Sequence, residues 1–401
     1  MKAVVFHGVD IRLEDVSDPR IEAPTDAIVR VTTSAICGTD LHFVRGTVPG
    51  MKPGTILGHE GVGVVEEVGA DVRNLREGDR VVVASTIACG VCAYCRDGYY
   101  VQCDGSNPNG KLAGTAFFGG PAESGPFHGL QAERARIPFA NVGLVKVPDE
   151  VNDDQAILLS DVFPTGWFAA ELAKLHPGAT VTVLGCGPVG QFVIASLKIL
   201  GAGRIFAVDC EPSRLEMARR QGAEAIDFEQ EDPVEVIRRL TGGIGTDRVI
   251  DAVGVDAMHA HHGPAARRDT QRDEREAAEV SPGRAANGPW HPGDAPAQAL
   301  DWAVEICAKA GRIAVVGVYP ATDRAFPIGR AMSRNLSLHT GNCHHRAYIP
   351  KLIELVRTGV VDPTRILTQE RPLVDAVEAY RRFDRREAGW AKVGLVPSMA
   401  F

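Results

Sequence analysis

Hydrophobic residues in the first part of the chain occur in short runs that are rich in β-branched side chains. Each run is bounded by Gly, Pro or Asp, which interrupt regular structure. Runs of this length and composition predict β-strands, and together they predict a compact, mostly β lobe that extends to about residue 160. The four runs are KAVVFHG, AIVRVTTSAIC, GVGVVEEVG and DRVVVAS.

The pattern then changes to apolar strands that alternate with helices. The stretch ATVTVLGCGPVGQFVIASLKILGA predicts a buried strand, a glycine-rich turn and a helix. GRIFAVDC with PSRLEMARRQGA repeats the strand and the helix, DRVIDAVG and GRIAVVGVY predict further strands, and YIPKLIELVRTGVV predicts a helix. This alternation predicts an α/β fold with a doubly wound parallel sheet behind the β-rich lobe.

One segment, residues 255–298, interrupts the alternation. It is rich in Pro, Gly, Ala and balanced charge, and it lacks the apolar residues needed to build a core. We interpret it as a long insertion in the second lobe.

Composition narrows the possible functions. The chain has 401 residues, of which 45% are hydrophobic and 23% charged, as is typical of a globular protein with two or three domains. Its formal net charge is −8 and no basic run is present, which argues against nucleic-acid or membrane-surface partners. Acidic residues come too early for a signal peptide, and no apolar run approaches the roughly 20 residues that span a bilayer. We expect a cytoplasmic protein.

Four of the nine cysteines form a cluster with the spacing C-x2-C-x2-C-x7-C. Cytoplasmic disulfides are rare, and short loops between thiolates suit a tetrahedral zinc ion. Four protein ligands leave no position for substrate, so we expect a structural zinc. Two disulfides, free thiols or an iron–sulfur cluster are the alternatives. The cysteines are Cys89, Cys92, Cys95 and Cys103.

The glycine-rich turn has the pattern G-x-G-x-x-G in the context that a dinucleotide requires, between a strand and a helix of a βαβ unit. A tight turn without a ligand is the alternative. Asp209 ends the next strand, where a carboxylate accepts hydrogen bonds from ribose hydroxyls and repels a 2′-phosphate, so we expect NAD. Arg214 lies close enough in sequence to weaken the preference over NADP. The residues of the turn are Gly185, Gly187, Pro188, Val189 and Gly190.

Two short segments of the first lobe supply residue types that bind metals. Taken singly, such residues are usually structural, because a lone buried Cys packs as a small apolar group. Beside a nucleotide lobe and a cysteine cluster, they become candidates for a second metal site. They are Cys37, Thr39, Asp40 and His42 in SAICGTDLH, and His59 and Glu60 in LGHEGVG.

These motifs, in this order, resemble the zinc-dependent medium-chain alcohol dehydrogenase family. GHEGVGVVEEVGADV is similar to the family's zinc signature, and it stands with CGVCAYCRDGYYVQC and GCGPVG. The resemblance implies a GroES-like catalytic domain at 1–162, completed by 339–401. It also implies a Rossmann domain at 163–338 that contains the insertion, with the active site in the cleft between the two lobes.

The resemblance implies that Cys37 and His59 bind a catalytic zinc. Many members carry a third ligand, Cys, where LSDVFPTGW has Asp161; this departure is similar to the glutathione-independent formaldehyde dehydrogenases and related bacterial members. A thiolate and a carboxylate still offset the charge of Zn²⁺, and three protein ligands leave the open position that catalytic zinc needs. The harder oxygen ligand should leave zinc more electrophilic.

Further roles follow from the same resemblance. Thr39 would accept the proton of the substrate and His42 would pass it towards solvent, while Asp40 would orient His59. Glu60 would approach the metal during ligand exchange, or else form a buried ion pair. The residues implied to contact the nicotinamide are Thr165, Val316 and Val318.

We therefore expect a zinc-dependent oxidoreductase that transfers a hydride from a small alcohol or aldehyde hydrate to NAD. The alternatives are a formaldehyde dismutase with tightly held NAD, a polyol or amino-alcohol dehydrogenase, and a non-catalytic NAD- and zinc-binding sensor or structural protein. Relatives suggest a homo-oligomer, either a dimer or a tetramer. The insertion is either a lid that retains the cofactor, as in formaldehyde dehydrogenase relatives, or a mobile surface loop.

The substrate pocket is the least defined part of the prediction. Aromatic and imidazole side chains near the ligands in sequence are candidates, although most are expected to belong to the core. The pair His344 and His345 in HTGNCHHRAY is a possible third metal site, but we expect a solvated loop there. The pocket candidates are Phe117, Phe118, Phe127, His128 and Trp167.

Overall fold

The computed structural model describes residues 1–266, 270–280, 289–321, 323 and 326–397. The chain divides into two compact units. The first unit is formed by the described residues that fall within Met1–Pro164, Ala285–Trp290 and His344–Phe401. The second unit is formed by those that fall within Thr165–Arg284 and His291–Cys343.

The strands are numbered here in chain order. The N-terminal part contains β1 (Lys2–Phe6), β2 (Ile11–Asp15), β3 (Ala27–Ile36), β4 (Gly61–Val68), β5 (Arg80–Val83), β6 (Thr86–Ile87), β7 (Ala116–Phe117), β8 (Arg134–Ile137) and β9 (Leu144–Lys146). The second unit contains β10 (Thr180–Leu184), β11 (Arg204–Asp209), β12 (Glu224–Asp227), β13 (Thr246–Asp251), β14 (Cys307–Val315) and β15 (Ser337–Thr340). The C-terminal part contains β16 (Gln369–Pro372) and β17 (Val393–Val396).

The α-helices follow the same numbering. Those up to the glycine-rich turn are α1 (Gly38–Val44), α2 (Ala93–Arg96), α3 (Ala140–Gly143), α4 (Asp153–Ala156) and α5 (Val162–Leu172). Those of the second unit are α6 (Pro188–Ile199), α7 (Pro212–Arg220), α8 (Pro233–Leu240), α9 (Thr270–Val280), α10 (Gln298–Ile306) and α11 (Ile328–Ser333). The last two are α12 (His345–Arg357) and α13 (Ala376–Asp384). Among the described residues, no helix is long and apolar enough to cross a membrane.

The first unit is built on a seven-stranded sheet in the order β16-β17-β3-β4-β5-β9, with β8 paired to β3. The four strands predicted for the N-terminal part of the chain are all present, as β1, β3, β4 and β5. Of these, β1 pairs with β2 in a separate two-stranded sheet. Strand β3 pairs antiparallel with both β4 and β17, so the C-terminal end of the chain completes this sheet. The ends of β3 and the start of β4 thereby bring the two predicted metal-binding segments into one unit.

The second unit contains a six-stranded parallel sheet in the order β12-β11-β10-β13-β14-β15. This is the doubly wound order in which a dinucleotide binds where the strand order reverses, beside β10. Alternate residues of β11 enter different cores, Phe206 and Val208 on one face and Ile205 and Ala207 on the other. Burial on both faces explains why its sequence is almost continuously apolar. The predicted parallel sheet is confirmed.

The structure corrects one expectation for residues 255–298. We expected a segment that builds no core, but Ala257 and Ala260 are buried in a core of the second unit. Trp290 belongs to the first unit, where its Nε1–H donates to the carbonyl of Val9 (3.1 Å) and its ring packs against Tyr380. Small alanine side chains and one tryptophan are enough to anchor the described ends of a polar segment.

Candidate metal and nucleotide sites

The four clustered cysteines converge on one point. Their sulfur atoms all lie within 4.8 Å of one another, and all four are free thiols. The sulfur of Cys103 accepts hydrogen bonds from the backbone N–H groups of Cys89 (3.2 Å) and Gly105 (3.3 Å). Backbone donors aimed at sulfur stabilise thiolates, which are the form that binds metal. The arrangement fits the predicted structural zinc.

Electrostatics around this cluster agree with a metal-binding role. Burial alone would raise the pKa of Cys92, but hydrogen bonds from the backbone at Cys95 and Asp104 lower it to about 7. For Cys95, in contrast, burial outweighs the backbone hydrogen bond and raises the pKa above its usual value. Four thiolates in a partly buried loop repel one another, so a cation that offsets their charge stabilises the deprotonated set.

A second cluster lies in the same unit and is buried. Cys37, His59, Glu60 and Asp161 each offer one ligand atom, and these atoms lie within 4.8 Å of one another. Asp161 Oδ2 is 3.1 Å from His59 Nε2 and 3.6 Å from Cys37 Sγ. A thiolate, an imidazole and a carboxylate at such separations are the donor types that zinc binds.

Local backbone geometry positions these side chains. Cys37 directly follows β3 and is the N-cap of α1. Gly58 has φ +90°, a conformation that favours glycine, and a Cβ there would lie 2.4 Å from Gln131 Cγ. The turn at Gly58 sets His59 two residues before β4, with no solvent exposure. Asp161 precedes α5, so the cluster draws on three separate stretches of the first unit.

Asp40 holds the first two predicted ligands in place. Its Oδ1 is 3.1 Å from His59 Nδ1, and its Oδ2 accepts the backbone N–H of Cys37 at 3.0 Å. Gln131 Nε2 also approaches Oδ2 (3.4 Å), and Tyr380 O–H in turn donates to Gln131 (2.8 Å). Because Asp40 engages Nδ1, the Nε2 atom of His59 faces the cluster, as a metal-binding imidazole requires.

Glu60 is both a member of the cluster and part of a buried ion pair. Its Oε2 accepts a hydrogen bond from Lys392 Nζ, and neither side chain has solvent exposure. Lys392 also donates to the carbonyl of Ile36 at 3.0 Å. Glu60 Oε1 is buried and has no hydrogen-bond partner among the described residues. The buried ion pair expected as one alternative for Glu60 is therefore present, and an approach to the metal during ligand exchange stays a prediction.

Charge repulsion within the cluster supports a bound cation. Burial raises the pKa of Cys37, and the carboxylates of Asp161 and Glu60 raise it further. Burial opposes protonation of His59, but Asp40 and Asp161 raise the pKa of His59 well above its usual value. The cluster thus holds protons that a divalent cation would displace. With the orphaned oxygen of Glu60, this donor set fits zinc.

The structure overturns the expectation of a solvated loop at the histidine pair. His345 is only 4% exposed, and its Nε2 is 2.6 Å from Asp161 Oδ1. Burial would raise the pKa of Asp161, but hydrogen bonds from His345 and His59 hold it well below its usual range. His344 is adjacent in sequence and packs instead against the ring of Tyr99, with centroids 5.3 Å apart. No signal in the local sequence distinguishes the two residues.

The remaining predicted residues of the first unit differ in their surroundings. Thr39 is half-buried, with its hydroxyl 4.0 Å from Cys37 Sγ, and His42 is buried on the same helix. Phe117 packs its ring against His59, with centroids 4.7 Å apart. The other aromatic candidates of this unit behave as expected for core residues, since Phe118 is fully buried and Phe127 packs against the same apolar cluster.

Two further pocket candidates make structural contacts. His128 Nδ1 accepts the backbone N–H of Ile56 at 3.2 Å. Trp167, in the second unit, is 2% exposed and donates to Glu171 at 2.7 Å. Neither contact involves the buried cluster of Cys37, His59, Glu60 and Asp161.

The glycine-rich turn of the second unit leaves room for a ligand. A Cβ on Gly190 would lie 1.9 Å from the carbonyl oxygen of Gly185, so helix α6 can pack here only without a side chain. A Cβ on Gly187, in contrast, would meet nothing closer than Arg214 Nη1 at 4.0 Å. Pro188 occupies the first turn of α6, where its missing N–H costs nothing. The space beside Gly187 fits a phosphate group.

Asp209 is tied to this turn. Its Oδ2 accepts the backbone N–H of Cys186 at 2.6 Å, and its Oδ1 accepts those of Cys210 (2.8 Å) and Glu211 (2.9 Å). These bonds fix a negative charge at the carboxyl end of β11. Of the other predicted cofactor residues, Val189 and Val316 pack against one core, while Val318 follows β14 and Thr165 lies in α5.

Comparisons with known proteins agree with these observations. Residues 23–149 match the alcohol dehydrogenase GroES-like domain, and residues 188–261 match the zinc-binding dehydrogenase domain. The fold and the two clusters therefore define a zinc-dependent oxidoreductase of the dehydrogenase class, and the predicted fold class is confirmed.

Relatives specify the family. The chain is 37% identical to the zinc-type alcohol dehydrogenase-like protein AdhB of Bacillus subtilis, over 99% of this chain and 100% of that protein. It is 31% identical to the glutathione-independent formaldehyde dehydrogenase of Pseudomonas aeruginosa, over 96% and 94%. The solved alcohol dehydrogenase TADH from Thermus sp. ATN1 superposes with a TM-score of 0.81 at 35% identity, over 99% of both chains. The chain belongs to the zinc-dependent medium-chain alcohol dehydrogenase family.

Proposed function

We propose that this protein transfers a hydride from a small alcohol or aldehyde hydrate to NAD, with one catalytic and one structural zinc. The observation that carries the proposal is the buried convergence of Cys37, His59 and Asp161, with Glu60 beside them. With Cys37, His59 and Asp161 as the three protein ligands, a coordination position would stay open for substrate, which a purely structural site does not need.

Each proposed site residue of the first unit has a defined task in this proposal. Zinc held by Cys37, His59 and Asp161 would act as a Lewis acid that polarises a substrate oxygen. Asp40 orients His59 through the contact at Nδ1. The hydroxyl of Thr39, close to Cys37 Sγ, both donates and accepts hydrogen bonds, so it suits the transfer of the substrate proton towards His42.

Asp209 supports NAD as the cofactor in preference to NADP. Its carboxylate is held at the end of β11 by three backbone N–H groups, and a fixed negative charge there repels a 2′-phosphate. We expect Asp209→Asn, which removes the charge and keeps the size, to lower the ratio of kcat/KM for NAD over NADP. Arg214→Gln is the matched control, because it should raise that ratio if the guanidinium assists NADP.

Formaldehyde is the substrate that we propose to assay first. Asp161 stands where many family members have Cys, and one relative of similar length is a glutathione-independent formaldehyde dehydrogenase. The turn at Gly187 would hold NAD, and NAD retained there would supply both the oxidising and the reducing half of a dismutation of two aldehyde molecules. Polyol and amino-alcohol oxidation remain the other candidates for the substrate screen.

Native and denaturing mass spectrometry of the purified protein test the proposal together. Two zinc ions per chain are expected, and co-purified NAD would favour the formaldehyde dehydrogenase or dismutase branch. Cys37→Ser should lose one zinc and the activity, while the four-cysteine zinc remains. One zinc per chain in the parent protein would favour the non-catalytic alternative and refute the proposed catalytic site.

We also propose that the protein forms a homo-oligomer, a dimer or a tetramer. Strand β15 is the last strand of the second unit's sheet, and Leu338 on it is 43% exposed. Ile328 (68%) and Met332 (76%), on α11, are exposed as well. An apolar edge of this kind favours pairing with a second copy. Native mass spectrometry of Leu338→Lys against the parent protein tests this edge.

A further inference from the structure

His345 lies beside the buried cluster, and the proposed chemistry gives it no role. It is the first residue of α12 and is 4% exposed. Its Nε2 lies 2.6 Å from Asp161 Oδ1, a short distance that is typical of a hydrogen bond to a charged acceptor. His345 therefore contacts a candidate metal ligand without belonging to the group whose ligand atoms converge.

The two oxygens of Asp161 face different partners. Oδ2 lies towards His59 Nε2 (3.1 Å) and Cys37 Sγ (3.6 Å), which are the other proposed ligands. Oδ1 faces His345. A carboxylate bound on one side in this way offers a single oxygen to a metal and cannot rotate without breaking a buried hydrogen bond.

The other side of the imidazole is also held. Thr86 Oγ1 is 3.3 Å from His345 Nδ1, and Ser85 Oγ lies 3.3–3.4 Å from both ring nitrogens. Because the Asp161 carboxylate only accepts hydrogen bonds, His345 Nε2 carries a proton and donates it, and Nδ1 is then able to accept from the Thr86 hydroxyl. This tautomer is assigned from the hydrogen-bond network.

We propose that His345 is a positioning residue that fixes Asp161 as a one-oxygen metal ligand and that Thr86 sets the imidazole tautomer which does so. The inference rests on the proposed catalytic zinc. Hydrogen-bond partners of ligating carboxylates and imidazoles hold ligand geometry, and their loss typically weakens metal binding by about 10–100-fold. His345 would act through Asp161 and would not itself touch substrate.

Two substitutions of His345 separate positioning from mere packing. In His345→Gln the amide nitrogen replaces the Nε2 donor, whereas in His345→Asn the amide lies near the Nδ1 position and cannot reach Asp161. His344→Asn is the matched control, since it changes the neighbouring imidazole that packs on Tyr99. Thr86→Val removes the tautomer-setting hydroxyl without changing the histidine.

The readouts are zinc release to a chromogenic chelator and the visible absorption of protein with Co²⁺ in the catalytic site. His345→Asn should weaken binding of the catalytic zinc about 10–100-fold, which faster release to the chelator reports, and should shift the Co²⁺ bands. In His345→Gln, the zinc release rate and the Co²⁺ bands should return towards those of the parent. Thr86→Val should change both in the same direction as His345→Asn, but less. His344→Asn should leave both unchanged. Release from the four-cysteine site serves as an internal control for folding.

The outcomes distinguish this inference from the proposed function. A parent protein with two zinc ions, whose release rate and Co²⁺ spectrum are unchanged in His345→Asn, overturns the role of His345 alone. Equal effects of the Gln and Asn variants overturn it as well, because packing would then explain them. Should His345→Asn fail to fold, parent-like zinc release in Thr86→Val overturns the positioning role in its place. A parent protein with one zinc ion overturns both proposals.

Discussion

Lys392 allows the electrostatics of the buried cluster to be tested directly. It forms an ion pair with Glu60 in which neither side chain has solvent exposure. Burial raises the pKa of Glu60, and the ammonium group of Lys392 opposes this, which leaves a pKa of about 7. Lys392→Met keeps the apolar stem of the side chain and removes its charge. The variant leaves a carboxylate buried near Asp161 without its cation.

At a pH of about 9, where Glu60 with its pKa of about 7 is ionised in the parent, removal of one partner from the buried ion pair costs about 3–5 kcal/mol. In a unit of roughly 150–250 residues, each kcal/mol lowers the melting temperature by about 2–4 °C, so we expect a loss of about 6–20 °C. The loss should be larger in the metal-free protein, because a divalent cation in the cluster offsets part of the charge of Glu60. Differential scanning calorimetry with and without chelator measures both values.

The double variant Lys392→Met/Glu60→Gln is the matched control for this prediction. It removes both charges, so it should recover most of the stability that the single variant loses. A chelated single variant that melts within about 2 °C of the parent would refute the reasoning. So would a double variant that is no more stable than the single one, since the loss would then come from packing.

Three further predictions test other parts of the molecule. Gly190→Ala should abolish NAD binding in titration calorimetry, because its Cβ would lie 1.9 Å from the Gly185 carbonyl oxygen; tight binding by this variant would contradict the proposed turn. Cys95→Ser should remove one zinc ion per chain by mass spectrometry, and an unchanged content would contradict the structural site. Burial would raise the pKa of Asp247, but hydrogen bonds from Thr180 N–H and O–H (2.8 Å each) lower it. That stabilisation is present above the unfolded pKa of about 3.9 and is lost as the pH falls through the folded value. The melting-temperature difference between the parent and Asp247→Asn should therefore shrink from about pH 5 to about pH 3, and a constant difference would contradict this.

Features set by contiguous residues could be predicted from the sequence. The β-branched runs, the turn at Gly185–Gly190 and the spacing from Cys89 to Cys103 depend on local geometry, which neighbouring residues determine. Two strands of the parallel sheet, β12 and β15, escaped prediction. Each is four residues long, and polar or exposed positions dilute its apolar pattern. They are strands because β11 and β14 supply their hydrogen-bond partners.

The contacts of His345 and Lys392 with the buried cluster could not be predicted, because these residues meet the cluster only in the folded chain. His345 is separated from Asp161 by 184 positions, and Lys392 is separated from Glu60 by 332. His345 stands in a polar stretch that is typical of a loop, and Lys392 is a residue type that is almost never fully buried without a partner. Tertiary packing decides their burial.

The geometry also explains why Asp161 should not exchange freely with the cysteine that many family members have there. A carboxylate has two oxygens. When one oxygen binds a metal in a buried site, the other oxygen needs a hydrogen-bond donor. A thiolate offers one atom, so Asp161→Cys would deprive the buried Nε2–H of His345 of its 2.6 Å acceptor, at a cost of about 1–3 kcal/mol. We expect the double variant Asp161→Cys/His345→Leu to lose less stability than the summed losses of the two single variants. Thermal unfolding of the chelated protein measures these losses. Strictly additive losses would show that the two positions are independent.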